Sequence, residues 1–356
     1  MNNRSIIKTI AISFCLVSLL VLTGQSCTIF SKAPRNDGGI FRSDDQGLTW
    51  VQKTMIGVVK KKTLTISNVS AGIILFHPSD KSTIYLGTMG NGIYRTEDAG
   101  ERWQVTGRQT GNVTALAIDP VSPAILYAGN GGNIEKTIDG GVTWENVFTE
   151  SRAGISLTSI LIDPSDSGHI FASNSGGVIL ESRDYGKNWL TNNIFKIGVQ
   201  RLIQNPADRL SILAVHINRG LSRTDDGGTT WIDLSAQFKK FAGSEQVFDA
   251  SFTNSEKPIL YLATAYGLFR TADLGQTIEY VTTLIPAKTL QIRTVQIDHA
   301  NSDNIFISTT NKIHISKDGG ISWKVISVPT GRLINLLSVN PRNAQQLFLG
   351  TLVVKK

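Results

Sequence analysis

Residues 43–50 read Ser-Asp-Asp-Gln-Gly-Leu-Thr-Trp, and the pattern that they define, Ser/Thr-x-Asp-x-Gly-x-Thr-Trp, occurs seven times in the 356-residue chain. The copies start 41 to 53 residues apart, at Ser43, Thr96, Thr137, Ser182, Thr224, Thr271 and Ser316. Their third positions are all aspartate: Asp45, Asp98, Asp139, Asp184, Asp226, Asp273 and Asp318. Every tryptophan of the chain ends a copy, and Ile278 takes that place in the sixth. A period of this length is typical of repeat architectures.

Each position of the pattern suits a turn between two strands. The aspartate and the Ser/Thr hydroxyl can accept hydrogen bonds from turn N–H groups, glycine tolerates a positive φ, and the aromatic ring can pack into the core. The aspartates are spread over seven turns, without the dense ligand run of a calcium loop. The interpretation is therefore structural aspartates and no metal site, with metal binding in the turns as the alternative.

The segments between the copies predict four short antiparallel strands per period, which is one propeller blade. Seven first strands lie near residues 73–76, 113–118, 157–162, 199–203, 248–252, 292–297 and 333–339. The first copy has no strand pair before it, and the chain ends after residues 347–350 with no further copy. The prediction is an all-β, seven-bladed β-propeller of four-stranded antiparallel blades over residues 38–356, with the ring closed by strands from both termini.

At these residues the chain resembles the Asp-box (BNR) repeat proteins. They include sialidases, two-propeller xyloglucanases, sortilin ectodomains, and the photosystem II assembly and stability factors. The last group is the most similar in overall plan, since it places one propeller behind an export signal. The resemblance implies an exported assembly or scaffold factor that binds protein partners. A glycan-binding or glycoside hydrolase propeller is the alternative.

The first 27 residues are interpreted as a signal peptide with a lipobox, followed by a short linker at residues 28–37. Arg4 and Lys8 precede an apolar run from Ile10 to Leu22, and Cys27 follows small residues at the expected cleavage point. Lipidation of Cys27 would make the protein an extracytoplasmic, membrane-anchored lipoprotein. An ordinary signal peptide with an incidental cysteine and an uncleaved anchor are the alternatives. The other cysteine is Cys15, so residues 38–356 can form neither a disulfide nor a cysteine metal site.

The formal charge is +7, and removal of Arg4 and Lys8 with the signal leaves +5. A modest positive charge favours acidic protein partners or an anionic membrane surface, and it is too dispersed to indicate nucleic acid.

The sequence favours a binding protein over an enzyme, although it leaves the enzyme alternatives open. A sialidase would have an Arg-Ile-Pro segment, whereas the one Ile-Pro pair, at Ile285, follows Leu284. A xyloglucanase would have two carboxylates in a cleft between two propellers. Asp249 is the most suggestive single acid, but no partner acid can be assigned to it. The prediction therefore names no catalytic residue, no cofactor and no metal ligand; the histidines considered are His77, His169, His216, His299 and His314.

Two sets of basic residues are candidates for binding. One set stands directly before the repeated pattern and could form a positive arc on one rim: Arg42, Arg95, Lys136, Arg223 and Arg270. Alternatively, each long side chain covers apolar surface and leaves its charge in water. The second set is Lys53 with Lys60–Lys62, where the loop could contact anionic lipid headgroups or simply be solvated. Lys239 and Lys240 form a similar, weaker pair.

Overall fold

The computed structural model describes residues 37–107 and 110–353. The predicted signal peptide, Cys27 and the linker at residues 28–36 lie outside the described residues. Within them the chain forms thirty strands and one short helix, α1 (Ser235–Phe238).

The first twelve strands run from the start of the described chain to residue 149. They are β1 (Ile40–Ser43), β2 (Val51–Gln52), β3 (Met55–Val59), β4 (Lys62–Thr65), β5 (Ala71–Phe76), β6 (Ile84–Gly90), β7 (Ile93–Thr96), β8 (Gln104–Val105), β9 (Gly111–Ile118), β10 (Leu126–Asn130), β11 (Asn133–Thr137) and β12 (Glu145–Thr149).

The remaining strands complete the chain. They are β13 (Leu157–Asp163), β14 (Asp166–Asn174), β15 (Val178–Ser182), β16 (Leu190–Ile194), β17 (Val199–Asn205), β18 (Asp208–His216), β19 (Gly220–Thr224), β20 (Ile232–Asp233), β21 (Val247–Phe252), β22 (Leu260–Thr264), β23 (Leu268–Thr271), β24 (Glu279–Val281), β25 (Thr294–Ile297), β26 (Ile305–Ser308), β27 (Lys312–Ser316), β28 (Lys324–Ser327), β29 (Ile334–Val339) and β30 (Leu347–Thr351).

Strands that follow one another in the chain pair as antiparallel meanders. β13–β16, β17–β20, β21–β24 and β25–β28 each form a four-stranded sheet in chain order. β5–β8 and β9–β12 form two further meanders, which join into one eight-stranded sheet because β6 pairs with β9 at Met89↔Asn112 and Gly90↔Gly111. β3 and β4 form a separate two-stranded hairpin. The repeated pattern lies at the turn after the third strand of each meander.

One sheet combines the two ends of the described chain, in the order β2-β1-β30-β29. β1 and β30 are antiparallel, with Ile40 opposite Gly350 and Ser43 opposite Leu347. An ion pair of 2.9 Å between the Arg332 guanidinium and the Asp37 carboxylate lies beside this junction. The pairing covers strand edges that would otherwise be exposed.

The core lies between neighbouring sheets, so it is divided into several apolar clusters. One cluster joins Tyr127 and Ile134 of one meander with Leu157, Ile160 and Ile170 of the next. Second strands are therefore apolar on both faces; all five residues of β22 are buried. Burial of each such Leu or Ile side chain contributes about 1.5–3 kcal/mol, which holds each sheet to its neighbours.

Candidate functional site

The repeated turns are closed by their own side chains. In the first copy, Ser43 Oγ accepts a hydrogen bond from the Gly47 N–H (2.7 Å) and donates one to Asp45 Oδ1 (2.7 Å). The Asp45 carboxylate also accepts from the backbone N–H (2.8 Å) and the hydroxyl (2.6 Å) of Thr49. The Trp50 indole N–H donates to the Gly47 carbonyl (3.0 Å). The aspartate is thus occupied within its own turn.

The other six aspartates accept the same hydrogen bonds from their own turns, with small variations at the last partner. The turn also requires two consecutive residues with left-handed backbone; Gln46 and Gly47 have φ of 56° and 85°. Among the described residues, no group of three or more His, Cys, Asp or Glu side chains could hold a metal ion.

These hydrogen bonds favour the ionised aspartates. The backbone N–H and side chain of Asn188 lower the pKa of Asp184 to about 2. The hydroxyl and N–H of Thr230 lower that of Asp226 to about 2, and those of Ser322 do the same for Asp318. Charge-assisted hydrogen bonds from the turn are the common cause.

Three of the five basic residues before the repeated pattern reach the turn of the next meander. Arg42 donates to the Ala99 carbonyl (2.8 Å), and Lys136 donates to the Tyr185 carbonyl (2.9 Å). Arg223 donates to the Asp273 carbonyl (3.1 Å). Lys136 and Arg223 are only 9% and 8% exposed. These side chains connect neighbouring sheets, a role that the sequence pattern alone did not indicate.

Arg95 and Arg270 remain more accessible, with 33% and 45% of their side chains exposed. Arg95 forms an ion pair with Glu97 (2.7 Å), and Arg270 forms one with Glu279 (3.0 Å). The structure thus places all five residues at equivalent strand positions but gives Lys136 and Arg223 little contact with solvent. Only Arg95 and Arg270 retain the exposure that a binding arc would need.

The first strands of the six meanders and β29 of the terminal sheet, seven strands in all, line a cavity of about 480 Å³. Six of these strands have a β-bulge in which one residue has no cross-strand partner, and all six such residues line the cavity: Gly72, Thr114, Thr158, Gln200, Phe248 and Asn335. A bulge redirects a side chain from the sheet, and such bulges are common beside functional sites. The volume is in the range of ordinary ligand pockets.

Side chains on the cavity wall also connect adjacent first strands. Thr158 Oγ1 donates to the Val199 carbonyl (2.7 Å), and Asn335 Nδ2 donates to the Ala71 carbonyl (3.0 Å). Arg201 forms an ion pair of 2.5 Å with Asp249 on the next first strand. The wall is therefore a connected polar surface.

Asp249 is the one carboxylate among the described residues that line the cavity. Its Oδ1 contacts Arg201, and its Oδ2 accepts from the Val295 N–H (3.0 Å) and from Gln296 Nε2 (3.2 Å). The side chain is 11% exposed. The carboxylate is thus fully bonded, and the described residues that line the cavity include no second acid at the spacing that glycoside hydrolysis requires.

The remaining charged group on the wall is Arg293, whose guanidinium lies 5.3 Å from the Phe248 ring centroid and donates to the Gln291 side chain (3.2 Å). Sequence reasoning missed Arg293, Gln200 and Arg201. The signal in the sequence was weak: Gln200 and Arg293 each follow a buried apolar residue, Val199 and Ile292, near the start of a first strand.

Two of the histidines lie close to polar side chains. His169 Nε2 lies 2.8 Å from a Glu181 oxygen, and His216 Nε2 lies 2.8 Å from Ser222 Oγ. Burial lowers the pKa of His216 and of His314. No helix within residues 37–107 and 110–353 is long and apolar enough to cross a membrane.

Solved structures with this arrangement of sheets identify the fold. The chain superposes on YCF48 bound to a D1 peptide with a TM-score of 0.61, at 15% identity, over 81% of this chain and 94% of that one. It superposes on the GH74 enzyme of Niastella koreensis with a TM-score of 0.62, at 16% identity, over 84% of this chain and 53% of that one. The chain has a β-propeller fold. The predicted resemblance to photosystem II assembly factor-like propellers is confirmed at the level of fold by YCF48, and sortilin is matched by sequence as described below.

Sequence comparison gives further relatives of this propeller. A xyloglucanase of Paenibacillus sp is 26% identical over 232 residues, which are 58% of this chain and 21% of the relative. Sortilin of Mus musculus is 23% identical over 214 residues, or 57% of this chain and 24% of the relative. The chain thus matches about a quarter or less of the length of these two proteins. It matches no model of a known protein family.

Proposed function

We propose that the chain is a single seven-bladed propeller whose ring is closed by β1 and β30. Two observations support this: seven first strands share one cavity, and the two ends of the described chain pair in one sheet. The hydrogen bond between Asn335 and the Ala71 carbonyl joins the last first strand to the earliest one. A closed ring would leave only short sheet edges exposed.

We propose that this propeller is an assembly or scaffold factor that binds a segment of a protein partner at the cavity. The observation that carries the proposal is the cavity wall itself, on which bulged residues present amide, hydroxyl and aromatic groups around a single, fully bonded carboxylate. Gln200, Phe248 and Arg293 offer hydrogen-bond donors and an aromatic face to an extended chain. The fold similarity to YCF48, which was solved with a D1 peptide, is consistent with this function.

A glycan ligand is the alternative, and it is favoured by the relatives named xyloglucanase. Hydrolysis by two carboxylates would need a second acid about 5–9.5 Å from the first. The described cavity residues offer Asp249 without one. A partner-binding function therefore fits this wall better than a hydrolase function.

We further propose that the protein is exported and anchored by a lipid at Cys27. The support is the sequence of residues 1–27, with its basic start, apolar run and terminal cysteine. Mass spectrometry of the protein from its native membrane tests this proposal. A diacylglyceryl group on residue 27 is expected, and an unmodified residue 27 would contradict it.

Site-specific photo-crosslinking tests partner binding at the cavity. A photoreactive phenylalanine analogue replaces Gln200, and a matched control places it at Leu190, an outer-strand residue that is 74% exposed. We expect a discrete protein adduct from position 200 and none from position 190. Equal adducts at both positions would move the binding surface away from the cavity. If the protein released reducing sugar from xyloglucan and Asp249→Asn abolished this activity, the hydrolase alternative would replace the proposal.

A further inference from the structure

The β3–β4 hairpin is a two-stranded sheet of its own, separate from the other sheets of the propeller. Its turn is Lys60-Lys61, and Lys62 begins the return strand, so three positive charges occupy the tip. The residues beside the tip are apolar and exposed: Val58 by 59%, Val59 by 55% and Leu64 by 38%. An isolated two-stranded hairpin is marginally stable in water, and this one exposes apolar side chains.

The turn at the tip has a conformation that is unfavourable for its residues. Lys60 and Lys61 have φ of 46° and 65°. Two consecutive positive φ angles define the tight hairpin turn in which Asn-Gly is strongly preferred. Lysines in this conformation raise the energy of the backbone. They also place two adjacent positive charges at the tip of the hairpin. None of the described hydrogen bonds or ion pairs involves the ammonium groups of Lys60, Lys61 or Lys62.

The root of the hairpin is firmly held. The Trp103 N–H donates to the Met55 carbonyl (2.8 Å), and the Ile66 N–H donates to the Thr54 carbonyl (2.8 Å). Ile56 packs against the apolar cluster that contains Trp103. The hairpin is thus held at its root by hydrogen bonds and packing, whereas residues 58–65 at and beside its tip are exposed.

The start of the described chain adjoins this root. Gly39 has φ of 83°, and a Cβ added to it would lie 2.6 Å from the Ile66 carbonyl oxygen. The Gly38 carbonyl accepts a hydrogen bond from Gln52 Nε2 (2.7 Å). The described chain therefore begins beside the root of the hairpin. Asp37 is ten positions after Cys27, a distance of at most about 36 Å along a fully extended chain.

We propose that the β3–β4 hairpin is a second membrane contact that binds an anionic lipid surface through its lysine tip and its exposed valines. The inference rests on the proposed membrane anchor for its setting, and its occupant is fixed by charge complementarity and by the adjoining chain entry. The two acyl chains of a diacylglyceryl anchor already hold the protein at the membrane, and a basic contact beside them adds an attraction that depends on anionic lipid. Each lysine near an anionic surface strengthens binding by about fivefold, so three give on the order of 100-fold.

Amide hydrogen exchange of the full chain on lipid vesicles tests this proposal. Vesicles of phosphatidylcholine alone are compared with vesicles that contain about one-third phosphatidylglycerol, and flotation of the chain is recorded in parallel. We expect exchange in residues 55–65 to slow at least tenfold on the anionic vesicles only, and the difference to shrink as salt rises.

The variant Lys60→Gln/Lys61→Gln/Lys62→Gln should lose this protection. The matched control Lys239→Gln/Lys240→Gln, which changes another exposed lysine pair, should retain it. Flotation on neutral vesicles reports the N-terminal anchor separately, so failure of the anchor and failure of the hairpin contact give different results. Equal exchange on both vesicle types, or protection that survives in the triple variant, would overturn the proposal. Protection that appears only when a membrane protein is added would assign the hairpin to a protein partner instead.

Discussion

At the scale of single residues, the aspartates of the repeated turns accept hydrogen bonds from residues two to four positions away in the sequence. The Asp226 carboxylate accepts hydrogen bonds from the Thr224 hydroxyl and from both the N–H and the hydroxyl of Thr230. Such local contacts are readable from sequence because residue identity and spacing determine them. For this reason the turns could be predicted residue by residue.

The low pKa of these aspartates has a consequence for acid stability. Asp184, Asp226 and Asp318 titrate at about 2 when folded, against an ordinary value near 3.9 when unfolded. The unfolded chain therefore binds more protons between these values, so stability falls as pH drops from about 4 to about 2. We expect thermal unfolding temperatures to decrease across this window, with a shallower slope in the variant Asp226→Asn/Asp318→Asn. An equal slope in both proteins would contradict this account.

The left-handed residue before each turn glycine can be tested at Ala99, which has φ of 56°. Left-handed backbone costs a residue with a side chain about 1–2 kcal/mol. Glycine avoids that cost, but it loses more conformational entropy on folding than alanine does. Ala99→Gly should therefore raise the free energy of unfolding by about 0.5–1 kcal/mol. The control Ala250→Gly, in a buried part of β21, should lower it by about 1 kcal/mol. Chemical denaturation measures both, and destabilisation by Ala99→Gly would show that the turn carries no such strain.

At the scale of elements, the contacts between neighbouring sheets could not be predicted from the sequence. Lys136 and the carbonyl it contacts, that of Tyr185, are 49 residues apart. A basic residue at the end of a third strand is compatible both with an exposed arc and with this buried contact. Only the packing of one sheet against the next distinguishes these arrangements. The same holds for the bulged residues, because one unpaired residue in a first strand changes which side chains face the cavity.

The contrast between Lys136 and Arg270 provides a matched test at this scale. Lys136→Met keeps the length of the side chain but removes the donor to the Tyr185 carbonyl, and it should lower the free energy of unfolding by about 1–2 kcal/mol. Arg270 is much more exposed, so Arg270→Met should stay within about 0.5 kcal/mol of the wild type. Urea denaturation of the two variants measures the difference. If both variants had the same free energy of unfolding as the wild type, Lys136 would be better described as a solvent-exposed residue of the arc.

At the scale of the whole molecule, the fold was predicted from the number of repeats and from their position relative to the chain ends. Composition alone indicated only a globular protein. The observed first strands agree closely with the predicted ones; β5, for example, begins at Ala71 instead of Ile73. The cavity wall was not predicted, because its chemistry depends on residues from seven distant segments. The repeats therefore indicate the fold, whereas the proposed function depends on the residues of the cavity wall.

Closure of the ring by the chain ends is the central claim, since the cavity exists only if the last sheet meets the first. In the terminal sheet, Ile40–Ser43 pairs with Leu347–Thr351 on one side and with the two-residue β2 on the other. Amide hydrogen exchange of the full chain measures this pairing directly. We expect the amides of Ile40–Ser43 to be protected as strongly as those of the central strand β18, and to lose that protection in Leu349→Pro, which breaks the β30 ladder. Exchange of Ile40–Ser43 at the rate of an unfolded segment in the wild-type chain would contradict closure.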